Sequence, residues 1–96
     1  MHPDTALGVT AELNYLLKEG WKAVRETERI RVVPPQTAAS DPRFNEFLQD
    51  EVWRIARFIA YGDFVSIERK ADGGYRVYSR ITNGGAFEVV FEPHHL

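Results

Sequence analysis

The three histidines of this chain, His2, His94 and His95, stand at its two ends. Chain ends are poorly ordered unless tied down. No pair of histidines lies one helical turn apart, and no histidine–glutamate pair lies on a helix, so these imidazoles read as solvated groups rather than bases or metal ligands. Glu46, Asp50 and Glu51 crowd one stretch as an acid–base pair would. They alternate with Arg43 and Arg54, however, as on a solvated helix face. Gly73-Gly74 and Gly84-Gly85 lie between alternating segments rather than before a helix, so they read as turns, not as a phosphate loop. With no cysteine there is no thiolate nucleophile, disulfide framework, zinc finger or iron–sulfur cluster. No catalytic, cofactor-binding or metal-ligating set emerges, and the chain is expected not to be an enzyme.

What the sequence does offer is a surface. Lys22, Arg25, Arg29 and Arg31 fall on one alternating segment beside Trp21, and basic strands with an aromatic can track a phosphate backbone. Glu26 and Glu28 sit at the tip of that segment, and the formal charge of the whole chain is −2. A basic excess would be expected of a protein that coats nucleic acid or an anionic membrane. Arg76, Tyr78 and Arg80 make a second basic cluster, with Glu68, Glu88 and Glu92 placed to neutralise it across strands.

The elements that must carry these groups follow from periodicity. The chain has 96 residues, 44% of them hydrophobic and 12% aromatic, which suits one small folded domain over 1–96. No basic and apolar leader opens the sequence, and no apolar run reaches the ~18 residues that span a bilayer. A cytoplasmic domain with no membrane partner is therefore expected. Val9, Leu13, Leu16 and Leu17 predict a helix over about Thr5–Glu19, capped by Asp4 or Thr5 and ended by Gly20. Gly8 weakens its first turns, which puts the start as late as Thr10.

From Trp21 to Val33 the period becomes two, predicting a hairpin around Glu26-Thr27-Glu28 that Pro34-Pro35 closes. Gln36–Ser40 reads as a connection of small residues. Asp41-Pro42 opens a long central helix ending near Tyr61-Gly62, with Phe44, Phe47, Leu48, Val52, Ile55, Ala56 and Ile59 on its inner stripe. Trp53 and Phe58 flank that stripe. Phe64–Lys70, Tyr75–Ile81 and Ala86–Glu92 complete the chain as a three-stranded antiparallel meander packed on the helix. Its two Asp/Asn-Gly-Gly connections fit type I turns with a glycine bulge, and Gly74 or Gly85 is expected to hold a positive φ. That parity sends Val65, Ile67, Tyr75, Val77, Ile81, Phe87, Val89 and Phe91 to one side. Glu68, Arg76, Tyr78, Arg80, Glu88, Val90 and Glu92 go to the other. The expected fold class is α+β.

The stretch Leu13-Asn14-Tyr15-Leu16-Leu17-Lys18-Glu19-Gly20-Trp21, with Arg29-Ile30-Arg31-Val32 and Pro34-Pro35, resembles the TubC-type N-terminal docking domain. That family has a leucine-rich helix ending in glycine, a basic hairpin, a proline-containing link and a helix opening with proline, which Asp41-Pro42 through Ile59 could supply. The resemblance covers about residues 9–60. It implies a helix–hairpin–helix module that binds partner chains of modular peptide and polyketide synthases, often as a homodimer, with the partner segment along the exposed hairpin. The tip Glu26-Thr27-Glu28 departs from the family's Gly/Asp-type turn, and the meander has no counterpart there.

Two functions are therefore expected in order. The first is a non-catalytic protein-interaction domain: a docking module, or a small regulator or inhibitor such as phages and mobile elements encode. It would bind an acidic partner or a second copy through an edge of the hairpin, using Trp21, Arg25, Arg29 and Arg31. The alternative is a nucleic-acid-associated accessory protein using the same basic hairpin.

Overall fold

The structure is a computed structural model that describes residues 3–60, 65–81 and 85–95, with side chains over 8–60, 65–80 and 87–95. The first helix, α1 (Pro3–Leu16), runs straight through Gly8. Leu13 and Leu17, one turn apart, are buried, and Val9 and Leu16 pack beside them. The helix stops three residues short of the expected Glu19, and Gly20 takes the left-handed conformation expected of a glycine placed to end it. It holds φ +89° in a turn closed by the Trp21 N–H on the Lys18 carbonyl (3.0 Å). Only glycine takes that conformation without strain, and a Cβ there would also lie 3.0 Å from Pro35 Cβ.

The antiparallel hairpin consists of β1 (Lys22–Arg25) and β2 (Ile30–Val33), with Ala23 opposite Val32 and Arg25 opposite Ile30. A single-turn helix, α2 (Gln36–Ala39), follows Pro35 where a plain connection was expected. Asp41 then organises the next start. Its Oδ1 accepts the Arg43 N–H at 2.8 Å and its carbonyl accepts the Phe44 N–H at 2.9 Å. From there α3 (Phe44–Ala60) buries Leu48, Val52, Ile55, Ala56 and Ile59, the expected stripe, and leaves Trp53 exposed. One residue departs from expectation. Glu51, read as solvated, is fully buried. Its Oε2 accepts from Arg54 Nη2 at 2.8 Å and from the Lys18 N–H at 3.4 Å, tying α3 to the end of α1.

The remaining strands are β3 (Val65–Arg69), β4 (Tyr75–Ile81) and β5 (Gly85–Phe91), antiparallel in sequence order. They do not form a separate meander. β5 also pairs in parallel with β2, through Ile30–Val89, Arg31–Val90 and Val32–Phe91, giving one five-stranded sheet in the order β1-β2-β5-β4-β3. The cause is visible in β5: Phe87, Val89 and Phe91 are buried on one face and Val90 on the other. A strand apolar on both faces belongs in the middle of a sheet, with neighbours on both sides.

All the helices lie against one face. Leu13, Leu17, Trp21, Ile30, Val32, Val52, Ile55, Val77, Phe87, Val89 and Phe91 belong to a single core cluster. The parity expected for the C-terminal strands is present, since Ile67 faces Val77, which faces Val89. The first connection is a type I turn with a glycine bulge: Gly73 N–H reaches the Lys70 carbonyl (3.1 Å), and Lys70 N–H reaches the Gly74 carbonyl (2.8 Å). The positive φ falls on Gly73 (+93°), not on Gly74. Gly74 is required for another reason, because a Cβ there would collide with the Phe91 carbonyl oxygen. Asp72 Oδ1 accepts the Gly74 N–H at 2.9 Å, and that bond holds the Asp72 carboxyl below its ordinary value. The second connection, 82–84, lies outside the described residues, although Ile81 pairs with Gly85 at the same spacing as Lys70 with Gly74.

Two stability measurements follow. Ile55→Ala should cost about 2–5 kcal/mol in a denaturant melt, as buried large-to-small changes do. Gly74→Ala should cost about 1–3 kcal/mol through overpacking, whereas Gly73→Asn should be nearly silent because asparagine tolerates positive φ. Equal losses at the two glycines would contradict the turn geometry.

Candidate interaction surface

Among the described residues, no helix covers one face of the sheet. Across its middle, in register from β1 to β3, run Val24, Arg31, Val90, Arg76 and Glu68. A second row places Glu88 opposite Tyr78 and Tyr78 opposite Ser66. Val24 is 42% exposed and Tyr78 36% exposed, while Val90 is buried between the two arginine neighbours. The hairpin and the C-terminal strands thus contribute to one continuous surface rather than to two competing ones.

The charges on that surface answer one another. Arg76 Nε lies 2.7 Å from Glu88 Oε1, and its Nη1 lies 3.7 Å from Glu68 Oε1. At the hairpin tip, Arg29 Nε reaches Glu26 Oε1 at 2.7 Å, and Arg31 Nε stands 3.4 Å from Glu26 Oε2. The hydrogen bond from Arg29, helped by the charge of Arg31, holds the Glu26 carboxyl below its ordinary range. This contribution to tip order is present above the ordinary carboxylate range and fades as pH falls through the lowered value. Glu26, Thr27, Glu28, Arg29, Arg76 and Glu88 line an open recess of about 650 Å³ at this end of the face.

The four residues expected to contact a partner are divided between the two sides of the sheet. Arg29 and Arg31 belong to the open face. Arg25 alternates to the helix-covered side with Ala23, where its side chain is exposed at the end of the strand. Trp21 is only 6% exposed and stacks on Phe44, with ring centroids 6.4 Å apart and planes 14° from parallel. It is an anchor of the core that also lines a recess with Lys18, Pro35 and Phe47. His95, expected to be simply solvated, places Nδ1 3.1 Å from the Pro34 carbonyl.

The two edges of the sheet differ, and the difference comes from Asn14. In the β1–β2 ladder the bond from the Glu26 N–H to the Arg29 carbonyl (2.8 Å) fixes the alternation, so Ala23 points its N–H and C=O outward. Both are taken by one side chain. Asn14 Oδ1 accepts the Ala23 N–H at 2.8 Å, and Asn14 Nδ2 donates to the Ala23 carbonyl at 2.9 Å. The carboxamide of α1 imitates a neighbouring strand and closes the middle of the β1 edge. β2, which carries Arg31, is interior and has no edge. Strand addition to the hairpin, the expected mode of binding, thus meets a blocked β1. Nothing in the sequence singles out Asn14 for this role, because a side chain that pairs with a strand edge has no periodic signature.

At the other end of the sheet, among the described residues, β3 pairs with β4 alone. The bond between the Lys70 N–H and the Gly74 carbonyl sets the alternation there. It directs the N–H and C=O groups of Val65, Ile67 and Arg69 away from β4.

No family model matches the chain, and neither a curated protein nor a solved structure matches it significantly. Among the described residues no helix is long and apolar enough to cross a membrane.

The Asn14 clamp yields a measurable expectation. Asn14→Leu removes both hydrogen bonds to Ala23, along with a longer one to the Thr10 carbonyl, and the two strand bonds alone should cost about 1–3 kcal/mol in urea melts, at ~0.5–1.5 kcal/mol per bond. An unchanged midpoint would mean that the carboxamide does not hold the strand.

Proposed function

We propose that this protein is a non-catalytic interaction domain that binds a partner protein chain across the open face of its sheet. The observation that carries the reading is the uncovered row Val24–Arg31–Val90–Arg76–Glu68 with Tyr78 beside it. Tyrosine and arginine are enriched at protein interfaces, where a rigid amphipathic ring and a planar guanidinium gain contact area at low entropic cost. Here the guanidiniums of Arg31 and Arg76 stand within ion-pair distance of Glu26 and Glu88, at 3.4 and 2.7 Å, which restrains them. A partner meets ordered groups instead of mobile ones, and less freedom is lost on binding.

The docking-domain resemblance supports the same class of function. α1, the hairpin and α3 follow one another in the order that family would have, and the exposed side of the hairpin is one end of the open face. A docking role and a role as a small regulator or inhibitor both use such a surface. The nucleic-acid alternative draws less support, because Glu26 contacts both Arg29 and Arg31 and leaves Lys22 and Arg25 as the uncompensated cations of the hairpin.

The test replaces Tyr78 with a photo-crosslinking phenylalanine analogue in the native cell and, separately, combines Val24→Glu with Tyr78→Ala. The probe at Tyr78 should capture a specific protein, and the same probe at Arg57 on the solvent side of α3 should not. The double variant should keep its thermal midpoint and lose about tenfold or more in affinity for that protein, as truncating an anchor at an interface does. Undiminished affinity would refute the reading. Capture of nucleic acid, with affinity falling steeply between ~50 and ~200 mM salt, would favour the alternative.

A further inference from the structure

We propose that the β3 edge is the self-association site of this protein, pairing antiparallel with β3 of a second copy about a two-fold axis at Ile67. This is independent of what binds the open face. The backbone groups of Val65, Ile67 and Arg69 that point away from β4 form a template for one more strand, and a template this regular recruits a partner unless it is blunted. A bulge, a proline, a covering side chain or repelling charge would blunt it. β3 contains neither of the first two, and among the described residues no side chain bonds to its edge as Asn14 does to β1.

The occupant follows from register. A dyad at Ile67 sets Ile67 opposite its own copy, Val65 opposite Arg69 and Ser66 opposite Glu68. All five residues of the strand are paired, and six backbone hydrogen bonds become available. No two like charges face each other directly. A dyad at Glu68 would instead oppose two carboxylates, and one at Ser66 would pair fewer residues. On the helix side, Val65 and Ile67 are only half-buried in one copy. In the pair Ile67 would meet its own copy on this side, with Val65 of each molecule diagonal to it and the aliphatic stem of the opposing Arg69 over Val65.

The closed β1 edge makes this arrangement finite. If both edges were open, β1 of one molecule could pair with β3 of the next, and that head-to-tail contact would grow into a filament. With Asn14 holding Ala23, the open edge can meet only its own kind, and the association closes at two.

The experiment uses the full chain, which has no native cysteine to confuse the result. Sedimentation equilibrium from low micromolar to millimolar concentration should show a monomer–dimer equilibrium and no larger species. In a Ser66→Cys/Glu68→Cys variant, both changes fall on exposed side chains, and mild oxidation should give a covalent dimer linked between position 66 of one copy and 68 of the other. Arg69→Pro removes an N–H that points away from β4, so the monomer should stay folded by circular dichroism. Dimer affinity should fall about tenfold or more, because the dyad loses that bond twice. A strict monomer at every concentration overturns the proposal. So does a dimer whose crosslinks join 66 to 66 or 68 to 68, or one that Arg69→Pro leaves unchanged.

Discussion

Three cross-strand pairs, Ile30–Val89, Arg31–Val90 and Val32–Phe91, hold the two halves of this molecule together. Without this parallel seam the N-terminal hairpin would be two four-residue strands, too little sheet to stand in water. The C-terminal strands would bury Val90 against nothing. With it, a single sheet presents one face to α1 and α3, and the core forms on that side alone. The seam also decides which groups remain outside: one complete face and the two terminal strands.

Which groups stay uncovered follows from that sidedness. Carboxylates stand within ion-pair distance of the arginines of the open face: Glu26 at the hairpin tip for Arg29 and Arg31, Glu88 and Glu68 for Arg76. The two edges have opposite fates. One is sealed at Ala23 by an asparagine from the adjacent helix, while the other ends in three residues whose peptide groups point outward. A sheet with one sealed edge and one open edge can associate without polymerising, which is a constraint on any small protein that exposes strand edges. The buried Glu51 serves the same architecture from the other side of the core. By accepting from Lys18 and Arg54 it ties α3 to the end of α1, and α1 is the helix that seals the edge.

Much of this was legible in the residues. The inner stripe of α3 is a strong 3.6-residue pattern, and the division of the C-terminal strands into two faces follows from alternation plus one bulge. Glu51 was legible too, since it sits three residues after Leu48 and four before Ile55, on the stripe itself; the neighbouring charges of Arg43 and Arg54 disguised it. The parallel seam was not legible. A pairing between residues some sixty positions apart leaves no local mark except the doubly apolar β5, where Val90 interrupts an otherwise polar face. The roles of Trp21 and Asn14 depend on what lies opposite them in space. An aromatic beside basic residues looked like a contact surface until Phe44 occupied its ring face. The bulge was anticipated but its glycine was not, because a Gly-Gly pair satisfies the positive φ and the close approach to Phe91 in either order until the ladder is drawn.

The seam is also the claim most open to a direct measurement. In the hairpin, Val32 turns its N–H and C=O away from β1, and its carbonyl accepts the Glu92 N–H at 2.9 Å. Residue-resolved hydrogen exchange by NMR reads the amide of Val32 without perturbing the protein. If β2 is an interior strand, the Val32 amide exchanges as slowly as those of Val77 and Val89 in the centre of the sheet, while the outward amide of Arg25 exchanges quickly. If Val32 exchanges as fast as Arg25, the hairpin stands apart from the C-terminal strands, and neither the continuous open face nor the single open edge exists.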